Sequence, residues 1–188
     1  FYWKNSTSLV KDLNVNMALS GGLDSSTLLA RAIRYGNIVS HTLELPGSKD
    51  SELALTIAEE CASNAKCHSV DKQQITDVLK QAPILSEDWR DFNVHCGALN
   101  MLLAQAIRTN QDKPGFIVTG DLMNEFICDY HEEIFNGQKY YRLPNISKKS
   151  LQRWLVRGLM TSSREDRVFE SYGLTTIQPY AITYDLYS

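Results

Sequence analysis

The sequence predicts an α/β fold: a doubly wound parallel sheet with a helical C-terminal part. Two observations carry this prediction. Short apolar, β-branched runs alternate with longer segments of helical apolar spacing through the first 120 residues, which is typical of parallel sheets. A glycine-rich turn, Gly21-Gly22, joins the first apolar run to the first helix. In such sheets ligands bind at the carboxyl ends of the strands, where the strand order reverses.

The first elements are a strand, a turn and a helix. Residues 15–19 form an apolar run, and helical spacing follows from residue 27 to about 35, where Gly36 and Asn37 give a C-terminal signal. Residues 38–45 are β-branched and apolar and predict the second strand, which Pro46 and Gly47 end.

The remaining elements follow from the same patterns. We expect helices over residues 51–65, 72–81 (ended by Pro83) and 95–109, and strands over 66–70 and 116–120. Beyond residue 128 the pattern indicates an acidic helix through residue 133, a turn at Asn136-Gly137, a helix over 148–160 and another to about 172.

Length and composition bound the class of protein. The 188 residues suit one domain, which we divide into a lead-in (1–13), a nucleotide-binding core (14–135) and a helical C-terminal part (136–188). The net charge of −3 argues against nucleic acid as a partner, since that role needs a basic excess. Without a long apolar run or a signal peptide, we expect a cytoplasmic protein that does not enter the membrane.

The turn after the first strand has the chemistry of a phosphate loop. Adjacent glycines let the backbone approach a ligand closely, and the helix that follows points free N–H groups at the turn. The serines at 20, 25 and 26 add hydroxyl groups. A phosphate or pyrophosphate therefore fits there. The alternative is a plain helix N-terminus that Asp24 and the serines cap.

Asp24 distinguishes this turn from the usual nucleotide loops. No lysine follows the glycines as in a Walker A sequence, and the dinucleotide pattern is absent. A carboxylate beside a phosphate repels it unless a cation lies between them, so Asp24 predicts Mg²⁺.

A second acidic segment follows the strand predicted at 116–120. Asp121 and Glu125 are four residues apart, so a helix beginning there would place them on one face. With Asp24 they could hold Mg²⁺ at the phosphate loop. Acids also accumulate at helix N-termini because the dipole favours them, which is the structural alternative.

These two segments resemble a known family. Ser20-Gly21-Gly22-Leu23-Asp24-Ser25-Ser26 looks like the PP-loop of ATP pyrophosphatases (adenine nucleotide alpha hydrolase-like proteins), and most like that of asparagine and β-lactam synthetases. The segment from Gly120 to Phe126 is similar to their second motif, Gly-Glu/Asp-Gly-x-Asp-Glu-Leu/Phe. Leu122 replaces a glycine of that motif, and Asn124 replaces its metal-binding aspartate, so metal affinity should fall.

The resemblance implies roles for particular residues. It implies ATP as the cofactor, with Mg²⁺ held by Asp24, Asn124 and Glu125, and Asp121 and Glu125 as catalytic residues. The residues implied to bind ATP are Leu19, Ser20, Gly21, Gly22, Leu23, Asp24, Ser25, Ser26, Leu45 and Gly120. The family's late catalytic lysine has only positional candidates, Lys148 and Lys149.

The resemblance also implies a reaction. Members cleave ATP between the α and β phosphates and transfer AMP to a substrate oxygen. We therefore expect an ATP-dependent, AMP-forming carbon–nitrogen ligase that adenylates a small-molecule carboxylate. Ammonia or an amine would then form the amide, supplied in some cases by a glutaminase domain or subunit not in this chain. Two alternatives stay open: another PP-loop reaction, such as nucleobase modification, and a non-catalytic ATP- or partner-binding module.

Overall fold

The computed structural model describes residues 15–34, 36–109, 115–123, 132–141 and 148–182. Its strands are β1 (Val15–Ala18), β2 (Ile38–Glu44), β3 (Asn64–Ser69), β4 (Gly115–Val118), β5 (Glu132–Phe135), β6 (Gln138–Tyr141) and β7 (Leu174–Ile177). Its helices are α1 (Leu23–Ala32), α2 (Asp50–Glu60), α3 (Lys72–Ser86), α4 (Asp91–Thr109), α5 (Lys148–Ser171) and α6 (Pro179–Ile182).

Five strands form a parallel sheet in the order β3-β2-β1-β4-β7. The chain moves outward from β1 through β2 to β3 and then crosses to β4 on the other side of β1. The strand order therefore reverses between β1 and β4, and a parallel sheet binds its ligands at such a point. The predicted α/β class with a parallel sheet is confirmed.

Helices cover both faces of this sheet. On one face α1 and α2 pack against Val15, Met17 and Val118. On the other face α4 and α5 pack against Ile117 and Leu174, and α3 packs on α4. Ile117 and Val118 are neighbours in the chain but belong to different cores, because successive side chains of a strand point to opposite faces. The doubly wound arrangement is thus as predicted.

Two predicted helix ends are wrong. The second helix ends at Glu60, well before residue 65, because Ala62 is left-handed (φ 54°) and Ala65 pairs with Ser40 in the sheet. Alanine has the highest helix propensity, but tertiary context overrides propensity, so strand pairing decides its conformation. The third helix continues through Pro83 to Ser86. Proline there removes one hydrogen bond near the end of the helix, and the left-handed Glu87 (φ 51°) ends it instead.

The chain beyond residue 131 contains strands as well as the predicted helix. One continuous helix, α5, replaces the two expected over 148–172, and β7 after it pairs with β4 in the central sheet. Glu132 and Glu133, expected in an acidic helix, lie in the hairpin β5–β6. Its turn is the predicted Asn136-Gly137, where both residues have positive φ, as two-residue hairpin turns require.

Within the described ranges, every helix is too short or too polar to span a bilayer.

Candidate functional site

A cavity of about 380 Å³ opens at the carboxyl ends of the strands, where the strand order reverses. Its walls come from the ends of β1, β2 and β4, the first turn of α1, the middle of α4 and Glu165 of α5. This volume is in the range of small-molecule sites. The sheet therefore brings the two acidic segments singled out in the sequence to one place.

The glycine-rich turn is held together by its own serines. Ser20 Oγ and Ser25 Oγ lie 3.1 Å apart, and Ser25 Oγ also accepts from the Ser20 N–H at 3.3 Å. Ser26 Oγ donates to the carbonyl of Gly22 at 2.7 Å. Hence Ser25 and Ser26 tie the first turn of α1 back to the loop.

The N-terminus of α1 has no side-chain cap. Gly22 is the N-cap residue, in an extended conformation, and no side-chain hydrogen bond caps the helix. A helix start without a cap leaves N–H donors and the positive end of the dipole facing the loop. Among the serines, Ser20 Oγ accepts from the N–H of the N-cap residue Gly22 at 3.3 Å. The geometry suits an anion.

Two glycines let the surrounding chain approach this loop. Gly21 has a φ of +81°, and a Cβ there would lie 3.1 Å from the backbone nitrogen of Ala54 in α2. A Cβ on Gly120 would lie 3.2 Å from the backbone nitrogen of Ser25. The end of β4 thus lies directly against the first turn of α1, and neither contact leaves room for a side chain.

Asp24 and Asp121 line the cavity from opposite sides of the sheet's switch point. Tyr180, half-buried, donates its hydroxyl to the Asp24 carbonyl at 3.3 Å. Burial is the main cause that raises the pKa of Tyr180, and the Asp24 charge adds to it. Tyr180 thereby connects the C-terminal end of the described chain to the glycine loop.

Arg164 links α5 to this cavity. Its side chain is 5% exposed and donates from Nη2 to Asp121 Oδ2 at 3.4 Å. Its Nη1 donates to Asn93 Oδ1 of α4 at 2.5 Å. Among the described residues its buried Nε has no partner. The guanidinium therefore partly neutralises Asp121 and fixes three elements around it.

Glu165, the next residue, is a buried acid on the cavity wall, 7% exposed. Its Oε2 accepts from Thr119 Oγ1 at 2.5 Å and from Gln178 Nε2 at 3.3 Å. Burial first and the negative charge of Asp121 second raise the pKa of Glu165 to about 8. A carboxyl in this state carries its proton at neutral pH, which is a common property of functional acids.

His41 of β2 lines the cavity as part of a hydrogen-bonded chain across the sheet. Asn16 Nδ2 donates to the Phe116 carbonyl at 3.0 Å, so its Oδ1 accepts from His41 Nε2 at 2.9 Å. His41 Nδ1 then accepts from His68 Nε2 at 2.9 Å. Burial chiefly, with His68 and Lys66, lowers the pKa of His41 to about 3. His41 is thus a buried, hydrogen-bonded histidine that also reaches the cavity.

The structure brings together most of the predicted site residues that it describes. Those that line the cavity are Leu19, Ser20, Asp24, Ser25, Leu45, Gly120 and Asp121. Gly21, Gly22, Leu23 and Ser26 belong to the same loop and first turn but not to the cavity wall, and Leu23 is 70% exposed. Asn124 and Glu125 lie outside the described residues. Lys149 is exposed on α5, and the Lys148 side chain is outside what is described.

The donor set near the loop fits a magnesium ion. Asp24, one of the predicted ligands, lines the cavity beside the phosphate loop, and Mg²⁺ is usually bound by one or two carboxylates together with substrate phosphates. Groups of three or more potential ligand side chains do not occur in the described ranges, but two of the three predicted ligands lie outside those ranges.

Sequence reasoning missed the contribution of α5. Clusters of arginines and acids such as 164–167 are most often ion-paired surface, so their pattern does not indicate a cavity wall. A partial signal existed: Arg164 and Glu165 precede Val168 and Phe169 by four residues, a spacing that places them on one helix face, and both apolar residues are fully buried. The apolar pair Val168 and Phe169 therefore indicates that this face of the helix points inward.

Comparison with known proteins gives one family. The asparagine synthase family matches residues 5–179 of this chain. Comparison with curated proteins gives no significant match.

Solved structures with similar folds include two synthetases. NMN synthetase from Francisella tularensis is 15% identical, with 89% of this chain and 69% of that chain covered and a TM-score of 0.48. Glutamine-dependent NAD+ synthetase from Acinetobacter baumannii is 15% identical, with 77% and 28% covered and a TM-score of 0.45. A predicted subunit of tRNA methyltransferase from Methanocaldococcus jannaschii is 16% identical, with 89% and 68% covered and a TM-score of 0.43. Similarity this low says nothing about the substrate of this chain.

Proposed function

The chain belongs to the asparagine synthase family of ATP-using synthetases, and on that premise we propose that it is an AMP-forming amide ligase. A carboxylate oxygen of a small-molecule substrate attacks the α-phosphorus of ATP, and the bond from that phosphorus to the bridging oxygen breaks. Pyrophosphate leaves, and the substrate is held as its adenylate. A nitrogen nucleophile then attacks the acyl carbon, AMP leaves and the nitrogen gives up a proton.

One observation supports this proposal most strongly. The uncapped N-terminus of α1 and the Ser20–Ser25 pair open onto the same cavity as Asp24 and Asp121. Helix N–H donors suit the pyrophosphate part of ATP, and the carboxylates suit a cation bound to it. Adenylation needs little covalent chemistry from the protein beyond such positioning and charge stabilisation.

Each part of the site has a role in this reaction. The loop residues hold the phosphates, and Leu19 and Leu45 lie at the strand ends where we place the adenosine. Mg²⁺ would be held by Asp24 with Asn124 and Glu125, and it would neutralise the charge of the leaving pyrophosphate. Asp121, oriented by Arg164, faces the reacting groups. The nitrogen comes from ammonia or an amine, supplied in solution, by the substrate itself or by a glutaminase domain or subunit outside this chain.

Leu122 bears on the alternative of a non-catalytic module. It replaces a glycine of the motif that the segment resembles, yet it has a φ of 77°, a conformation that glycine adopts easily. The leucine therefore follows a backbone path that suits the motif. This observation favours the enzyme over the module.

The test is pyrophosphate release from ATP and Mg²⁺ across a panel of small carboxylates with ammonium. We expect one class of carboxylate to stimulate release and Asp24→Ala to lower it at least about 100-fold, as for loss of a group that stabilises transition-state charge. Asp77→Ala, an exposed aspartate of α3, is the control and should match the wild type. ATP binding without pyrophosphate release would favour the binding module.

A further inference from the structure

The two carboxyl oxygens of Glu165 differ: one accepts hydrogen bonds from neighbouring side chains, and the other can exchange a proton. Among the described residues, both of its donors, Thr119 and Gln178, bond Oε2. The residue is only 7% exposed and lines the cavity. Oε1 is therefore the oxygen that can give or take a proton within the cavity.

The charges around Glu165 do not balance when it is ionised. In the described ranges, the two terminal nitrogens of Arg164 donate to Asn93 and Asp121. Among the described residues Glu165 accepts only from the neutral donors Thr119 and Gln178, so its ionised form would be buried without an ion pair, which is unfavourable. Either one proton or one monovalent cation neutralises the group.

A second buried group on the cavity wall points to a ligand. Asn100 of α4 lines the cavity, and in the described part of the chain its buried Nδ2 has no hydrogen-bond partner. A buried donor without an acceptor is unfavourable, and a ligand oxygen would satisfy it. The acyl oxygen of a bound carboxylate substrate is such an acceptor.

We propose, resting on the function above, that Glu165 holds the nitrogen nucleophile as ammonium or a primary ammonium group and takes its proton before the amide forms. The N–H bond breaks with its electrons staying on nitrogen, and the proton moves to Oε1. The freed lone pair then attacks the acyl carbon, and the Asp121 carboxylate stabilises the positive charge on nitrogen until that step.

The surroundings of Glu165 suit this exchange. The titratable and charged groups that face it or line its cavity are Asp121, Arg164, Cys96 of α4, Asp24 of α1, Asp50 of α2 and His41 of β2. Because its pKa is raised to about 8, the empty site carries a proton at neutral pH. A cation with N–H donors displaces that proton, since a nearby positive charge favours the carboxylate.

The test is the titration of the Glu165 carboxyl carbon by NMR in the full chain labelled with carbon-13 glutamate. The signal is assigned by its absence from Glu165→Gln, which should fold because the native carboxyl is neutral at pH 7. We expect the midpoint to be about one pH unit lower in methylammonium chloride than in tetramethylammonium chloride of equal ionic strength, which is a tenfold effect. Tetramethylammonium has the charge but no N–H. Equal midpoints in the two salts would overturn the proposal.

Two variants separate this role from a structural one. Asp121→Asn removes a neighbouring negative charge, so the midpoint in tetramethylammonium should fall and the difference between the salts should shrink. Glu170→Gln, an exposed residue of the same helix, should change neither midpoint. An unchanged midpoint in Asp121→Asn would also contradict the proposal, and this variant needs no Glu165 substitution that folds.

The titration of Glu165 needs neither ATP nor turnover, so its result does not depend on whether the chain is a ligase. Pyrophosphate release with equal midpoints would reject the role of Glu165 and leave the ligase. A midpoint shift without pyrophosphate release would reject the ligase and support a binding site for ammonium groups.

Discussion

Leu122 shows how one residue can keep a loop while departing from its motif. It is 5% exposed and has a φ of 77°. For a residue with a Cβ, that conformation costs about 1–2 kcal/mol, whereas a buried leucine side chain contributes about 1.5–3 kcal/mol. Burial of the side chain therefore offsets the strain of the backbone.

Two substitutions separate these contributions. Leu122→Ala loses the burial and keeps the strain, so we expect a loss of about 2–4 kcal/mol in the free energy of unfolding. Leu122→Gly loses the burial and the strain, and should be about 1 kcal/mol more stable than Leu122→Ala. Urea unfolding at one pH measures both. An alanine variant that is more stable than the glycine variant, as at ordinary positions, would show that the backbone is not left-handed there.

His41 gives the folded protein a dependence on acid. Its pKa is about 3 in the folded chain against an ordinary value of 6.5, so below pH 6.5 the unfolded chain binds the proton first. Stability is then lost as the pH falls from about 6.5 towards 3, by at most about 1.4 kcal/mol per pH unit. Glu165 acts in the opposite direction, since its raised pKa makes stability fall as the pH rises from about 4.5 towards 8.

The His41 contribution can be isolated by comparing variants. The slope of unfolding free energy against pH between pH 4 and 6, about the range where the effect is largest, should be smaller in His41→Gln than in the wild type. His95→Gln changes an exposed histidine of α4 and should keep the wild-type slope. If His41→Gln also keeps that slope, His41 is not held neutral in the fold.

The packing of secondary-structure elements also determines the site, which depends on how closely the end of β4 approaches the start of α1. Gly120 follows β4, and a Cβ there would meet the backbone of Ser25 at 3.2 Å and the Asp24 Cβ at 3.4 Å. Backbone atoms in a helix cannot give way as a flexible side chain can, because they belong to a close-packed element. The position of the α1 N–H groups is thus set by the absence of a side chain at residue 120.

Gly120→Ala should therefore displace the phosphate-binding end of α1. We expect ATP affinity to fall about tenfold, or about 1.4 kcal/mol, with a smaller loss of stability. Gly36→Ala is the matched control, since a Cβ at Gly36 meets nothing within 4 Å. Calorimetric titration with ATP and Mg²⁺ compares them. Unchanged affinity in Gly120→Ala would mean that ATP does not use this end of the helix.

In the molecule as a whole, the sequence was sufficient for four of the five strands of the sheet and for one side of the site. Val15–Ala18 and Gly115–Val118 have the apolar character of buried strands, and each leads into a loop with its own chemical signature. Parallel pairing of these strands then places both loops at one edge. That step follows from topology alone.

The other side of the site could not be predicted, because it depends on contacts between distant segments. Thr119 and Glu165 are 46 residues apart, and Asn93 and Arg164 are 71 residues apart. Charged residues at 164–167 have the same local pattern whether they face solvent or a cavity. The four-residue strand β7 was missed for a related reason: its length gives too little periodicity to distinguish it from a turn.

Following a labelled carboxylate oxygen shows directly whether the chain forms an adenylate. The carboxylate that stimulates pyrophosphate release is labelled with oxygen-18, and the products are examined by phosphorus NMR and mass spectrometry. If the chain forms an adenylate, the label appears in AMP, as one oxygen per AMP formed, and pyrophosphate carries none. Unlabelled AMP would mean that water attacks the α-phosphorus, and ADP with phosphate would mean that ATP is cleaved at another bond. Either result would contradict an amide ligase that works through an adenylate.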